Sequence, residues 1–305
     1  MNVKVGVVQA KPVFFNKRAT IQKMKSWIRQ LAGEGCQLIV FPESFIPGYP
    51  RGFDFGTIVG SRTPEGRELY REYLENAIEV PGPEVRFFES LCRSLGIYLV
   101  MGVTEKQQGT GSLFCTMLYF GPKGYIGKHQ KLKPTGQERV LWSEGQRDTL
   151  IAVNSQIGIL GGLICWENYM PPARLSMYQA GVQIYIAPTA DARPSWIATM
   201  QHIACEGRCF VIGSNQYIQY GDYPEPFKAL IQEPARSNSA GGSVIIAPTG
   251  ELIIGPLWHE QAGLIATLDL RQTWSSKLDF DVIGHYSRSD LFPIPEHWKA
   301  LVLEE

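Results

Sequence analysis

The longest apolar run of the chain ends on a cysteine. Residues 157–164 are all apolar or glycine, Cys165 follows them, and Trp166 begins a polar segment that leads into two prolines. This pattern predicts a buried strand over 157–165 that ends at a sharp corner before a helix. A helix N-terminus stabilises anions, so a thiol placed there should ionise more readily and could act as a nucleophile. Packing in the core is the alternative role for Cys165.

A carboxylate follows another short apolar strand pattern. Residues 38–41 are Leu-Ile-Val-Phe, Glu43 comes two residues later, and the glycine and proline residues of 44–52 predict a loop. Ligands gather at the carboxyl ends of strands in sheets linked by crossover helices, so we expect Glu43 and Cys165 at such an edge. A partly buried Glu43 would have a raised pKa and could accept a proton. A solvated loop carboxylate is the alternative.

A basic segment supplies the third candidate group. Lys128, Lys131 and Lys133 lie close together, and the last two share a face if the chain is extended. A lysine held near a thiol and a carboxylate would favour the thiolate and stabilise an oxyanion as a point charge. The spacing alone does not choose among the three lysines, and lysines on a strand are usually solvated.

These segments resemble the nitrilase branch of the carbon–nitrogen hydrolase family. Several long motifs in the right order make this a specific signal, and they extend from about residue 3 to about residue 292. The matching stretches are 41–43, 46–52, 60–66, 129–135 with Glu138 and Arg139, 165–171, 187–191, 202–211 and 284–288.

The resemblance implies roles for four residues and a fold. Glu43 would be the general base, Lys131 the catalytic lysine and Cys165 the nucleophile, while Glu138 matches a second glutamate of the same pocket. The implied fold is an α/β protein, an α-β-β-α sandwich with two mixed β-sheets covered by helices. Its protomers would pair through helices into a homodimer or a larger homo-oligomer built from dimers.

One stretch and one single residue depart from the family pattern, and several aromatic residues are candidates for a substrate pocket. Residues 143–149 replace a Gly-Asp-Gly type run, and Pro172 replaces a larger apolar residue. Aromatic walls would suit aryl, arylaliphatic or small apolar nitriles. Core packing or protomer contacts are equally plausible roles for aromatic side chains. The candidate pocket residues are Tyr49, Arg51, Trp142, Trp166, Thr189 and Trp196.

Composition narrows the class of protein. The chain has 305 residues, and its 29 basic and 29 acidic residues give a net charge of +0, which argues against nucleic acid or an acidic membrane as partner. Neither a secretory signal nor a membrane-spanning run is expected. Six scattered cysteines favour a reducing cytoplasm. The five histidines show no ligand spacing, so we expect no metal and no cofactor.

Strand and helix patterns alternate along the chain and predict βαβ units in one domain spanning 1–305, with a core of about 3–292 and a short C-terminal tail. Hairpins around residues 121–124 and 247–251 make the sheets mixed. Predicted strands are 3–9, 38–41, 97–104, 113–120, 157–165, 184–187, 210–215, 242–247 and 264–269. Predicted helices are 19–33, 65–78, 83–95, 172–180 and 194–206.

The main functional hypothesis is hydrolysis of a nitrile to a carboxylic acid and ammonia through a cysteine thioimidate and a thioester. The same residues could instead cleave an amide or a carbamoyl group, or convert cyanide. A papain-like cysteine hydrolase using His129 or His202 is a further alternative, although the usual residues around its nucleophile are missing. The last alternative is a non-catalytic scaffold protein with the same fold.

Overall fold

The computed structural model describes residues 1–305. It contains the strands β1 (Asn2–Gln9), β2 (Leu38–Val40), β3 (Thr57–Ile58), β4 (Ser61–Arg62), β5 (Tyr98–Lys106), β6 (Leu113–Gly121), β7 (Gly124–Gln130), β8 (Ile151–Ser155), β9 (Gly158–Gly161), β10 (Ile184–Thr189), β11 (Phe210–Asn215), β12 (Tyr217–Ile218), β13 (Ser239–Ile246), β14 (Leu252–Trp258), β15 (Ala262–Asp269) and β16 (Leu301–Glu304). The α-helices are α1 (Lys17–Gly33), α2 (Pro64–Asn76), α3 (Pro83–Leu95), α4 (Pro171–Gln179), α5 (Pro194–Gly207), α6 (Glu225–Lys228) and α7 (Arg271–Ser275).

Two mixed sheets form the centre of the molecule. The first has the strand order β15-β1-β2-β5-β6-β7, and the second has the order β12-β13-β11-β10-β9-β8-β16 with β14 paired to β13. In the first sheet β1 is parallel to β2 but antiparallel to β15. In the second, β10 is parallel to β9 and β11, whereas β11 is antiparallel to β13. Both sheets are therefore mixed, as the alternating pattern and the hairpins predict.

Alternating side chains on the strands divide the core into three layers. Leu38 and Val40 of β2 point into a core that also contains Ile184 of β10, so this core lies between the two sheets. Ile39 points the other way and packs with residues of α1 and α3. Tyr185 likewise packs with residues of α4 and α5 on the outer face of the second sheet. The order helix, sheet, sheet, helix confirms the predicted α-β-β-α sandwich.

Local chemistry sets the helix starts. Asn16 precedes α1, and its side chain accepts the N–H of Ala19 at 2.9 Å, a typical N-cap that begins the helix two residues before the predicted start. Proline stands at the first position of α2, α3, α4 and α5, where its missing N–H costs nothing. Helix α4 consequently begins at Pro171 rather than at Pro172. No helix is both long and apolar enough to cross a bilayer.

The strand predicted over 157–165 is shorter in the structure. Strand β9 ends at Gly161, and a side chain at Gly162 would collide with the backbone of Ile186 on β10. Gly162 is the first residue beyond the strand, and Cys165 opens a 3₁₀ turn with φ 53°. A positive φ is uncommon for a residue with a side chain, so the surrounding structure holds this backbone in place.

Candidate active site

Four chain segments bring the candidate residues together at the carboxyl ends of strands. Glu43 lies three residues after β2, Lys131 directly follows β7, and Thr189 is the last residue of β10. Cys165 lies four residues after β9. Strands β2 and β7 run the same way in the first sheet, and β9 is parallel to β10 in the second. Each sheet therefore presents two of these residues at one edge, where ligands usually bind in such folds.

Lys131 is held between two carboxylates. Its Nζ lies 2.7 Å from Glu43 Oε1 and 2.7 Å from Glu138 Oε2, and the side chains of Lys131 and Glu43 are fully buried. Although burial opposes a charge on Lys131, the negative groups around it raise its pKa well above its usual value. The other two lysines bind elsewhere, since Lys128 pairs with Glu105 and the half-exposed Lys133 pairs with Glu144. Of the three candidate lysines, Lys131 is therefore the one that contacts Glu43 and Glu138.

One oxygen of Glu43 has no partner. Oε1 accepts hydrogen bonds from Lys131 Nζ at 2.7 Å and from the Cys115 thiol at 3.6 Å, whereas Oε2 is buried and unpartnered. Burial raises the pKa of Glu43, the charge of Lys131 opposes this, and Glu138 adds to it. A buried oxygen with a free lone pair and a raised pKa suits a group that accepts and returns a proton.

The thiol of Cys165 is buried and protonated at rest. Thr189 Oγ1 lies 3.1 Å from Cys165 Sγ. Burial, followed by the charge of Glu43, raises the pKa of Cys165 to about 12. The expectation that a helix N-terminus makes this thiol acidic is therefore wrong. Helix α4 begins six residues later, at Pro171, and the influence of a helix end fades within its first turn. Removal of the proton needs a base beside the thiol.

Two cavities open beside these groups. The thiol cavity has a volume of about 480 Å³ and is lined by Cys165, Trp166, Tyr49 and Glu138 among others. The side cavity has a volume of about 710 Å³, shares Tyr49 and Glu138 with the first, and includes Trp142. Tyr49 donates a hydrogen bond to Glu138 Oε1 at 2.7 Å, and its ring meets Trp142 edge-on at 5.7 Å. Arg51 borders both cavities.

Trp166 and Trp196 have different surroundings. Trp166 is 40% exposed at the thiol cavity, and its Nε1 donates to Asp191 Oδ2 at 2.9 Å. Trp196 and Thr189 are each 1% exposed and line neither cavity. Thr189 contacts the thiol, whereas nothing joins Trp196 to the candidate site, so its assignment to the pocket is wrong. It lies on the face of α5 that packs against the second sheet, with its ring 6.0 Å from that of Tyr169.

Residues 143–149 support Lys131 from behind. The N–H of Gly145 donates to the Lys131 carbonyl at 2.9 Å, and the N–H of Gln146 donates to Gln130 Oε1 at 3.2 Å. A side chain at position 145 would collide with the Gln130 carbonyl, so only glycine fits. No residue of 143–149 lines either cavity. This departure from the family pattern therefore lies outside both cavities.

Glu167 is a site residue that the sequence analysis missed. Its buried carboxylate accepts the N–H groups of Ile164 at 2.7 Å and Leu132 at 2.6 Å, and it lies 3.1 Å from His129 Nε2. One part of this could have been predicted: a glutamate at the third position of a helical turn often accepts the backbone N–H of the residue just before the turn. The contact with Leu132 had no signal, since the two residues are far apart in sequence.

Neither histidine proposed for a cysteine–histidine pair contacts the thiol. His129 is fully buried, and its two ring nitrogens face Glu167 and the Thr149 carbonyl. The side chain of His202 is 64% exposed on α5 and lies 3.5 Å from Glu206. A papain-like arrangement is therefore absent. No group of three or more His, Cys, Asp or Glu residues is placed to hold a metal ion.

Comparisons with known proteins identify the family. The carbon–nitrogen hydrolase family model matches residues 4–277. The chain is 46% identical over 299 residues to a bifunctional nitrilase/nitrile hydratase of Lupinus angustifolius, covering 96% of this chain and 85% of the relative. It belongs to the nitrilase branch of the carbon–nitrogen hydrolase family.

Other members of the family extend the comparison. An aliphatic nitrilase of Sinorhizobium fredii is 46% identical over 292 residues, which cover 95% of this chain and 94% of the relative. The fold is similar to the crystal structure of a carbon–nitrogen hydrolase from Helicobacter pylori, with a TM-score of 0.75 at 19% identity, covering 96% of this chain and 97% of that one. The last comparison supports the nitrilase fold alone.

Proposed function

We propose that this protein hydrolyses an organic nitrile to the carboxylic acid and ammonia. The observation that carries the proposal is the buried cluster in which Lys131 lies 2.7 Å from Glu43, beside the thiol of Cys165. A nitrile carbon is a weak electrophile, so a polarisable thiolate is a suitable nucleophile for it. Relatives that are named nitrilases at 46% identity favour a nitrile over an amide as substrate.

In the proposed mechanism Cys165 attacks the nitrile carbon while its proton passes to the free Oε2 of Glu43. Lys131 and the backbone N–H of Trp166 stabilise the negative charge that develops on nitrogen. Glu43 returns the proton to nitrogen, which gives a thioimidate. Glu138 binds the same ammonium and holds Lys131 beside Glu43.

Two waters complete the reaction. Glu43 takes a proton from the first water as its hydroxide adds to the thioimidate carbon, and returns that proton to the nitrogen. The added hydroxyl then gives its proton, through Glu43, to the nitrogen, which leaves as ammonia as the thioester carbonyl forms. The second water, activated by the same carboxylate, hydrolyses the thioester and releases the acid and the thiol. The nitrile and two waters thus become one acid and one ammonia. If the thiol leaves before ammonia, the product is an amide instead of an acid. The amide should be measured as well, because one relative is named a bifunctional nitrilase/nitrile hydratase.

The test is ammonia release by the purified protein from aryl, arylaliphatic and aliphatic nitriles and from their amides. Cys165→Ala should lower nitrile turnover by about 10⁶-fold, as loss of a catalytic nucleophile does elsewhere. Cys36→Ala removes another buried thiol, packed near α1, and should retain turnover. Amide turnover without nitrile turnover would place the protein among the amidases. Release of ammonia from cyanide alone, or nitrile turnover by Cys165→Ala, would contradict the proposal.

We also propose that residues 1–305 act as one domain, as a homodimer or a larger homo-oligomer built from dimers in a reducing cytoplasm. Several large apolar side chains near the C-terminus are exposed, and a partner surface would cover them. They include Trp274, Leu278, Tyr286 and Phe292. A reducing compartment would keep Cys165 as a thiol. Sedimentation velocity over a range of concentrations tests the assembly, and a monomer throughout would contradict it.

A further inference from the structure

One buried carboxylate joins the two segments that carry Lys131 and Cys165. The side chain of Glu167 is fully buried, and its Oε2 accepts the N–H of Ile164, the residue before Cys165, at 2.7 Å. Its Oε1 accepts the N–H of Leu132, the residue after Lys131, at 2.6 Å. Both amides lie just outside strands, where no ladder satisfies them. Glu167 therefore fixes the distance between the nucleophile segment and the lysine segment.

Both ring nitrogens of His129 face oxygen atoms. His129 Nδ1 lies 3.1 Å from the Thr149 carbonyl oxygen, which can only accept, so Nδ1 must carry a hydrogen. In a neutral ring Nε2 would then be an acceptor facing Glu167 Oε2 at 3.1 Å. Two acceptors at that distance repel each other. One further proton between Nε2 and Oε2 turns the contact into a hydrogen bond, and the two backbone N–H groups that Glu167 accepts favour its carboxylate form, which places this proton on Nε2.

All polar atoms of this pair are then satisfied. The carboxylate of Glu167 accepts from two backbone N–H groups and from His129, while both nitrogens of His129 donate. Both side chains have an exposed fraction of 0%. A buried ion pair is tolerated when its geometry is good and its remaining hydrogen-bonding groups have partners.

We propose that Glu167 and His129 form a buried carboxylate–imidazolium pair that positions Cys165 relative to Lys131. The inference rests on the proposed nitrile hydrolysis and assigns both residues as positioning residues, because neither touches the thiol. Without the carboxylate, the two backbone segments lose their shared acceptor. A displacement of about 1 Å between reacting groups costs about 100-fold in rate.

The first variant is Glu167→Gln. Glutamine keeps the shape of the side chain but offers one acceptor oxygen instead of two, so one of the two backbone N–H groups loses its partner. We expect kcat to fall about 100-fold while KM stays within about threefold, because substrate binding does not depend on this contact. Glu105→Gln is the control, since Glu105 is a buried carboxylate bonded to Thr116 and Gln130. It should keep kcat within about threefold.

Two readouts do not depend on turnover. The imidazole ¹⁵N NMR signals of His129 in the wild type should be those of a doubly protonated ring and should become those of a neutral ring in Glu167→Gln. The rate of Cys165 alkylation by iodoacetamide should fall in that variant but not in Glu105→Gln. If Glu167→Gln does not fold, His129→Gln replaces it, and its kcat should fall about tenfold because a neutral donor remains.

The proposal is overturned if His129 of the wild type carries a neutral ring. It is also overturned if the folded Glu167→Gln keeps kcat and the alkylation rate within about threefold of wild type. A wild type that releases no ammonia from any nitrile would instead contradict the proposed function. That result would leave the NMR and alkylation tests of the pair in place.

Discussion

The molecule buries two glutamate–lysine clusters in the first sheet, and they differ in how completely their oxygens are bonded. In one, Glu105 accepts from Thr116 Oγ1 at 2.9 Å and Gln130 Nε2 at 3.1 Å through Oε2, and from Lys128 through Oε1. In the other cluster, Oε2 of Glu43 has no hydrogen-bond partner. A fully bonded carboxylate adds stability, whereas the unpartnered buried oxygen of Glu43 is costly and remains free to accept a proton.

The lysines of the two clusters differ in the same way. Lys128 binds one carboxylate at the edge of the sheet and is a quarter exposed, whereas Lys131 is fully buried between two carboxylates. Two negative groups around one cation leave an excess of negative charge. That excess contributes to the raised pKa of Cys165 and prepares Glu43 to take its proton. Between these two clusters, incomplete pairing rather than burial distinguishes the one beside Cys165.

The largest effect that separates the clusters is expected from Lys131→Met. This change removes the proposed oxyanion-stabilising charge and leaves Glu43 and Glu138 facing each other, so kcat/KM should fall about 10⁴-fold. Breaking a buried pair should also lower the free energy of unfolding by about 3–5 kcal/mol. Steady-state kinetics and urea unfolding measure the two effects. Lys133→Met removes a half-exposed lysine two residues away and should change kcat/KM and the free energy of unfolding only slightly. A large loss of kcat/KM in Lys133→Met with a small loss in Lys131→Met would assign the catalytic role to Lys133.

Glu43→Gln tests the unpartnered oxygen directly. The amide cannot accept the thiol proton, so kcat/KM should fall about 10³-fold, within the range for loss of a general base. Glu105→Gln makes the same chemical change in the bonded cluster and should cost less than threefold. Equal losses in the two variants would show that burial of a carboxylate, not its free oxygen, explains the effect.

Much of the positioning was predictable because it follows from strand periodicity. Short apolar runs ended near Glu43 and Cys165, and the resemblance placed Lys131 and Glu138 beside them; the structure brings Glu43, Lys131 and Glu138 into direct contact. The acidity expected for Cys165 was wrong because it depended on a helix that begins six residues later. The end of β9 was missed because it depends on the backbone of a neighbouring strand.

The remaining errors come from contacts between distant parts of the chain. Trp196 follows a strand end in sequence, but apolar residues cover so much of α5 that the pattern did not identify the face that packs on the sheet. Glu167 was missed because its partners Leu132 and His129 lie on another strand end. Hydrophobic periodicity reports burial, and it carries no information on which buried polar groups meet.

The pH dependence of kcat/KM tests the protonation state of Glu43. Burial raises its pKa above the ordinary value of 4.5, and a protonated Glu43 cannot act as a base. As the pH falls below this raised pKa, kcat/KM should drop about tenfold per pH unit, with a midpoint above 4.5. Glu105→Gln should leave this acid limb unchanged. A midpoint below 4.5 would contradict the assigned environment of Glu43.

The smallest expected effect comes from the outer edge of the Lys131 cluster. Tyr49 donates to Glu138 Oε1 at 2.7 Å, so Tyr49→Phe removes one hydrogen bond to a charged group and should lower kcat/KM about tenfold. Tyr119→Phe makes the same change in the core, where the hydroxyl is buried and unpartnered. Its kcat/KM should stay at the wild-type level, and its free energy of unfolding should rise by about 1 kcal/mol because an unsatisfied group disappears. Both variants lose one hydroxyl group, but only that of Tyr49 contacts Glu138. A similar loss of activity in both variants would therefore mean that the effect of Tyr49→Phe does not arise from its hydrogen bond to Glu138.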